Sequence, residues 1–277
     1  MMNITLGQYY PVDSPIHRLD PRTKILLTIA LIVAVFLVHS LAGYALVLAF
    51  LWMASRLSHV PFKVLLKGLK SLRWILLLTF FLNLFFSGTG SDLVHWGPIR
   101  ITDTGLSQAT HYSLRLVFLV MCTSLMTLTT SPIMFSDGLE MLLSPLKALH
   151  FPAHELAMMM SIALRFIPTL LDETDKIMKA QMARGADLES GRLIQRAKAM
   201  IPILVPLFLS AFRRAGELAT AMEARCYRGD VGRTRMKELK YQRRDIIAYM
   251  ILLLFAGLLI ATRYLPDIPA IIRSLMS

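Results

Sequence analysis

Apolar residues gather into unbroken runs at roughly 25–38, 41–53, 72–86, 106–130 and 246–261, each closed off by charged, glycine or proline residues. Runs that are apolar on every side have no polar face to turn toward water, so they predict helices that cross a bilayer. The first two are shorter than the roughly 20 residues a bilayer demands, so each extends into its polar flanks or forms a re-entrant segment. Asp20-Pro21 precedes the first run. An aspartate N-cap followed by a proline that needs no N–H predicts that this helix starts there.

A polar stretch at 131–244 interrupts the membrane pattern. It is long for a connection and helical in composition, so function is to be sought in it. It reads as a short helix at 137–150, a longer one at 153–184 and a third at 202–225, with Pro145 and Pro152 separating the first two. In the second, Leu156, Met159, Met160, Ala163, Leu164, Ile167, Leu170 and Leu171 recur at three- and four-residue spacing. In the third, Ile203, Leu207, Leu209, Phe212 and Leu218 do the same. Each stripe must be covered by the other, by the membrane interface or by a partner. The chain thus divides into a four-span membrane part at 1–130, a helical insertion at 131–244, and a last span with its tail at 245–277.

Two features of the insertion point to a partner. The run Met158-Met159-Met160, with Met178, Met182, Met200 and Met222, supplies flexible thioethers that suit a surface accepting several partners, although methionine also fills ordinary cores. The second feature is a repeat. Ala180-Gln181-Met182-Ala183-Arg184-Gly185 and Ala221-Met222-Glu223-Ala224-Arg225-Cys226 share Ala-x-x-Ala-Arg, one at the end of each long helix. A small residue lets a partner approach closely, and the guanidinium after it can make paired hydrogen bonds to a carboxylate. A lone arginine there would be read as a basic cap on the helix dipole; two matched ones favour docking.

Charge settles the orientation and removes one class of function. The chain is 55% hydrophobic and carries a formal net charge of +12; its mean hydropathy is +0.56. Basic residues cluster in the N-terminal segment (Arg18, Arg22, Lys24), in the second connection (Arg56, Lys63, Lys67, Lys70, Arg73) and in the insertion. Such residues stay on the cytoplasmic side, which places the N-terminus and the insertion inside and the C-terminus outside. The net charge is then an orientation signal, not a nucleic-acid footprint. No cleaved signal peptide is expected. Cys122 lies in a span and Cys226 in the insertion, so neither a disulfide framework nor a metal site is predicted.

Catalytic patterns are missing. His154-Glu155 lacks the second histidine of a zinc hydrolase helix, and neither a Gly-x-Ser-x-Gly turn nor a phosphate-cradling Gly-x-x-x-x-Gly-Lys-Ser/Thr loop occurs. The chain is not expected to be an enzyme or to hold a cofactor. A self-sufficient secondary transporter or channel is the alternative, with Arg115, His111 and Asn83 as its candidate intramembrane groups. No span supplies a carboxylate for Arg115, and a channel has no need of the long insertion.

Nearly the whole chain resembles the T component of energy-coupling factor transporters, EcfT, to which the cobalt-transport protein CbiQ is related. The likeness rests on Gly7-Gln8-Tyr9-Tyr10, the run from Ser14-Pro15-Ile16-His17-Arg18 through Leu19-Asp20-Pro21-Arg22-Thr23-Lys24, and Arg165-Phe166-Ile167-Pro168. Ala183-Arg184-Gly185, and Ala211-Phe212-Arg213-Arg214 leading into Ala224-Arg225, complete it. The resemblance implies an all-α integral membrane protein of about five transmembrane helices plus a cytoplasmic coupling region with two long amphipathic helices. It implies that Ala183, Arg184, Gly185 and Ala224, Arg225, Cys226 dock two ATP-binding-cassette subunits, which hold the ATP and magnesium. Cys226 departs from the glycine usual in the second motif. A small membrane-embedded substrate-binding subunit, or several exchangeable ones, would rest on Met159, Met160, Ala163, Ile167 and Leu207, and the chain would serve vitamin uptake in a prokaryotic cell membrane.

Overall fold

The computed structural model describes residues 9–86, 92–96, 99–149, 151–186, 193–229 and 239–262. The architecture is helical apart from one short hairpin. Helices α1 (Pro21–Phe36), α2 (Leu41–Leu57), α3 (Phe62–Phe86) and α4 (Asp103–Thr129) follow in order. Strands β1 (Asp92–Trp96) and β2 (Ile99–Thr102) pair antiparallel between α3 and α4, with His95 opposite Arg100. Then come α5 (Pro132–Leu143), a 3₁₀ turn (Ser144–Leu149), α6 (Ala153–Ala183), α7 (Leu193–Ala224) and α8 (Arg243–Thr262).

The helix starts obey local chemistry. Asp20 caps α1, its carboxylate accepting the Arg22 N–H at 2.9 Å with Pro21 in the first turn, as the sequence predicts. Ser40 and Thr102 cap α2 and α4 through the N–H groups of Gly43 and Gly105.

The chain forms two compact units, one of residues 1–139 with 239–277 and one of residues 140–238. In the first, α4 packs on α1, α2 and α3, and α8 on α1 and α2. Val35, Val47, Leu51, Leu65 and Met121 are fully enclosed at its centre, with Phe50 stacked on Phe255. In the second, α6 and α7 pack on each other.

Among the described residues five helices are long and apolar enough to cross a membrane: α3, α4, α6, α7 from Lys198 onward, and α8. Three of these coincide with expected spans, while α1 and α2, at 16 and 17 residues, fall short of the length. Two helix bounds differ from expectation. The short helix begins at Pro132, not residue 137, and passes into the 3₁₀ turn at Ser144 because Pro145 cannot continue an α-helical ladder; the expected end at residue 150 lies outside the described residues. Helix α7 begins at Leu193, well before Pro202, and carries Pro202 and Pro206 inside it. A proline read as a helix start is here an interior residue, tolerated because packing along α6 holds the rest of the helix.

Candidate functional site

The two repeated motifs fold into the same structure twice. At the end of α6, the Gly185 N–H reaches the Met182 carbonyl at 3.0 Å and the Ala186 N–H reaches the Gln181 carbonyl at 3.0 Å. At the end of α7, the Cys226 N–H reaches the Glu223 carbonyl at 2.9 Å and the Tyr227 N–H reaches the Met222 carbonyl at 3.1 Å. These paired bonds are the Schellman motif, which satisfies carbonyls that a helix end otherwise leaves open. The motif requires a left-handed residue just past the cap, and Gly185 at φ +85° and Cys226 at φ +54° both adopt it. The position therefore uses the glycine conformation even where cysteine stands. A β-carbon is strained in that region, so Cys226 carries a cost that Gly185 does not.

Each cap presents its arginine in the same way. Arg184 and Arg225 are the residues at which the helical turn ends, and both are exposed, as are Ala183 and Ala224 before them. Among the described residues no carboxylate is paired with either guanidinium.

Helices α6 and α7 run antiparallel. Gln181 Nε2 donates to the Pro202 carbonyl at 3.4 Å near one end. Midway, Arg214 Nη2 donates to Glu173 Oε2 at 2.9 Å, and Ser210 also hydrogen-bonds this carboxylate. Beyond the pair, Phe166, Leu170, Ala215 and Leu218 help line a groove of about 300 Å³ between the helices. The two arginine-tipped ends consequently lie at opposite ends of the pair. At the start of α6, His154 Nδ1 pairs with Glu140 Oε1 at 2.8 Å, a structural contact and not a metal site; no cluster able to hold a metal occurs among the described residues.

The Met-rich stripe is largely open. Met159 is 54% exposed, and Met160, Ala163 and Ile167 share its exposed face. Leu207 is half-buried, because the open face of α7 falls one position further on. Val205, Phe208, Leu209 and Phe212 form that face, with Phe212 74% exposed. Spacing alone assigned Leu207 to it; the placement of α7 against α6 decides otherwise.

One constellation was not legible beforehand. The run Leu19 to Lys24 folds into a buried polar network whose missing member, Asp245, lies far along the chain. Asp245 Oδ1 accepts the Asp20 N–H at 2.9 Å and Oδ2 the Gln242 N–H at 2.8 Å. Arg22 makes a two-pronged pair with Asp20, donates to the Leu239 carbonyl at 3.0 Å and lies over the Tyr241 ring. Lys24 donates from Nζ to the carbonyls of His17 and Thr129 at 3.0 and 2.8 Å. Two acids and two bases balance, and their geometry ties the starts of α1 and α8 together. A charged residue at the start of an apolar run was the only hint of Asp245.

The groups raised for a secondary transporter do not form a relay. Arg115 Nη2 reaches the Val38 carbonyl at 3.4 Å, its guanidinium lying over Phe36 and Tyr112. His111 Nε2 lies 2.9 Å from the His39 carbonyl, and Asn83 Nδ2 donates to Thr79 of its own helix at 2.8 Å. Each engages main chain, as a structural tie does.

Residues 13–238 match the family described as CbiQ, cobalt transport protein. The chain is 56% identical over 262 residues to the energy-coupling factor transporter transmembrane protein EcfT of Clostridium kluyveri, covering 94% of this chain and 97% of that protein. It is 53% identical to the protein of that name from Acidaminococcus fermentans over 270 residues, 98% and 100% of the two chains. With its Bacillus subtilis counterpart the identity is 49% over 263 residues, 95% and 99%.

Proposed function

The chain belongs to the CbiQ and EcfT family of transporter transmembrane components, and from that premise we propose that it is the coupling subunit of an ATP-driven importer. Two cytoplasmic ATP-binding-cassette subunits would receive the ends of α6 and α7. A small membrane-embedded subunit that carries the substrate, a vitamin or related micronutrient, would rest on the open apolar faces of those helices. The ATP and magnesium belong to the partner ATPases. The chain sits in a prokaryotic cell membrane with its N-terminus and the α6–α7 unit on the cytoplasmic side, as its basic residues favour.

The single observation that carries this reading is the duplicated cap. Two helices end in the same left-handed turn, and each presents an exposed arginine behind an exposed alanine. A structural arginine needs neither exposure nor repetition; a guanidinium fork offered to a partner carboxylate needs the first, and two like partners need the second.

The mechanism is mechanical. Glu173 and Arg214 are 41 residues apart, the spacing that also separates Arg184 from Arg225. The pair therefore sits eleven residues before each docking arginine, an arm of about 16 Å on either helix. Closure of an ATPase dimer that moves the two tips would turn the helices about this shared point and tilt the apolar faces above them. The carried subunit would release its substrate in response.

The test is to tag the full chain, solubilise it gently from its host membrane and identify bound proteins by mass spectrometry, with Arg184→Glu plus Arg225→Glu as the comparison. Two ATP-binding-cassette proteins and a small membrane protein should accompany the wild type, and the ATPases should be lost from the variant. A wild type that purifies alone rejects the coupling reading; ATPases that stay with the variant reject the docking residues.

A further inference from the structure

Helix α3 has an open side with two characters. Leu65 is fully buried and Gly68 lies so close to Ser124 that an added β-carbon would stand 3.1 Å from its Oγ, so this side of α3 packs tightly on α4. On the opposite side Lys63, Lys67 and Lys70 are exposed at four- and three-residue spacing, one line along the helix. The same line continues through Trp74, Leu78 and Phe81, all exposed and Trp74 at 71%. In a membrane-spanning chain an open apolar helix face meets lipid, and the lysines extend that face without turning away from it.

Length fixes the depth of the lysines. Twenty-five residues make α3 about 37 Å long, against a hydrocarbon thickness of about 30 Å. The surplus lies at the basic end, because the other end carries only apolar residues and Asn83. Long lysine stems keep to the apolar surface while their ammonium groups reach the phosphate layer. Arg56 lies over the Trp52 ring near the end of α2, and Arg73 over the Trp74 ring on α3.

Among the described residues nothing neutralises the patch. No aspartate or glutamate occurs anywhere in residues 21–91, and none of the three lysines has an ion-pair partner among the described residues. We propose that Lys63, Lys67 and Lys70 form a binding face for anionic phospholipid headgroups in the leaflet next to the α2–α3 turn. Trp74 and the apolar line below it hold the acyl chains of the same lipids. Charge complementarity and continuity with the lipid-facing surface select this occupant over an acidic protein, which would need a polar rim where the chain offers an apolar one.

The experiment reconstitutes the full chain in equimolar phosphatidylglycerol and phosphatidylcholine, extracts it gently and counts retained lipids by native mass spectrometry. Each lysine at such a surface is worth a factor of about five, so the triple variant Lys63→Gln, Lys67→Gln, Lys70→Gln should lose phosphatidylglycerol preference on the order of a hundredfold. The matching triple change to arginine should keep the preference, as should Lys176→Gln with Lys179→Gln, which removes charge on α6. The proposal falls if the wild type shows no preference, if the glutamine triple keeps it, or if the α6 control loses it equally. It also falls if the three lysines prove to retain an acidic protein and no lipid.

Discussion

Glu173 and Arg214 meet at 2.9 Å across the two longest helices, at the same distance along each from an exposed terminal arginine. The ion pair fixes one point of a crossing whose other polar contact, Gln181 with the Pro202 carbonyl, lies near one end, so the apolar surfaces around the pair can slide as the helices pivot. Its side chains are 36% and 25% exposed, so solvent screening leaves it little direct worth for stability.

Stability and function should therefore separate at this pair. Glu173→Gln is expected to lower the unfolding midpoint by only a few degrees yet to reduce ATP-driven uptake several-fold. The exchange Glu173→Arg with Arg214→Glu should restore most of it. Uptake assays on the three forms, with complex assembly checked beside them, decide the matter; single variants that transport normally remove the pair from the mechanism.

The left-handed turn after Arg184 and after Arg225 makes opposite predictions at its two occurrences. Gly185 has no neighbour within 4 Å of a built β-carbon, so Gly185→Ala meets no clash and should cost about 1–2 kcal/mol through backbone strain alone. Cys226→Gly relieves the same strain and should slow amide exchange in the last turn of α7. Equal exchange in wild type and Cys226→Gly would show that the cysteine bears no strain.

These positions also show what could be read in advance. The Ala-x-x-Ala-Arg repeat was visible as a pattern, and the cap after Asp20 followed from side-chain chemistry over three residues. The left-handed conformation of Cys226 was not visible, because cysteine gives no signal for it. Neither was the early start of α7, where proline argued for a boundary and tertiary packing overruled it. Asp245 and Asp20 lie 225 residues apart, and nothing local links them. Periodicity found the apolar stripe of α7 but chose Leu207 over Phe208, because the helix's rotation is set by α6.

The buried network at the start of α1 should behave as one structural unit. Asp245→Ala leaves the Asp20 and Gln242 N–H groups without their acceptor, at an expected cost of roughly 2–4 kcal/mol. Lys24→Met keeps the stem but leaves the His17 and Thr129 carbonyls unpaired and should cost a similar amount. Because the two sit in one network, the double variant should lose less than the sum. Thermal unfolding in detergent of the four forms tests this, and strict additivity would contradict it.

His17 predicts a pH dependence. Its Nδ1 lies 2.7 Å from Ser14 Oγ and its Nε2 3.1 Å from the Tyr10 carbonyl, an arrangement that suits a neutral ring donating from Nε2 and accepting at Nδ1. Partial burial, and then the nearby Lys24 charge, hold its pKa below the ordinary value of 6.5. The unfolded chain thus binds this proton more readily, so the stabilisation is fully present above about pH 6.5 and is lost as pH falls through the lower folded value. The unfolding midpoint should drop on acidification below about pH 6.5 more in wild type than in His17→Gln. Parallel pH curves would sink the assignment.

The central claim, that this chain transmits ATP-driven motion without moving solute by itself, is tested most directly by uptake into vesicles. Vesicles holding the full chain are prepared with or without the ATPases and small membrane protein that co-purify with it, and labelled substrate is followed after ATP is supplied on the ATPase side. The account predicts accumulation only in the complete set, abolished by Arg184→Glu with Arg225→Glu. Substrate accumulation by the chain alone, or undiminished uptake in the variant complex, would contradict it.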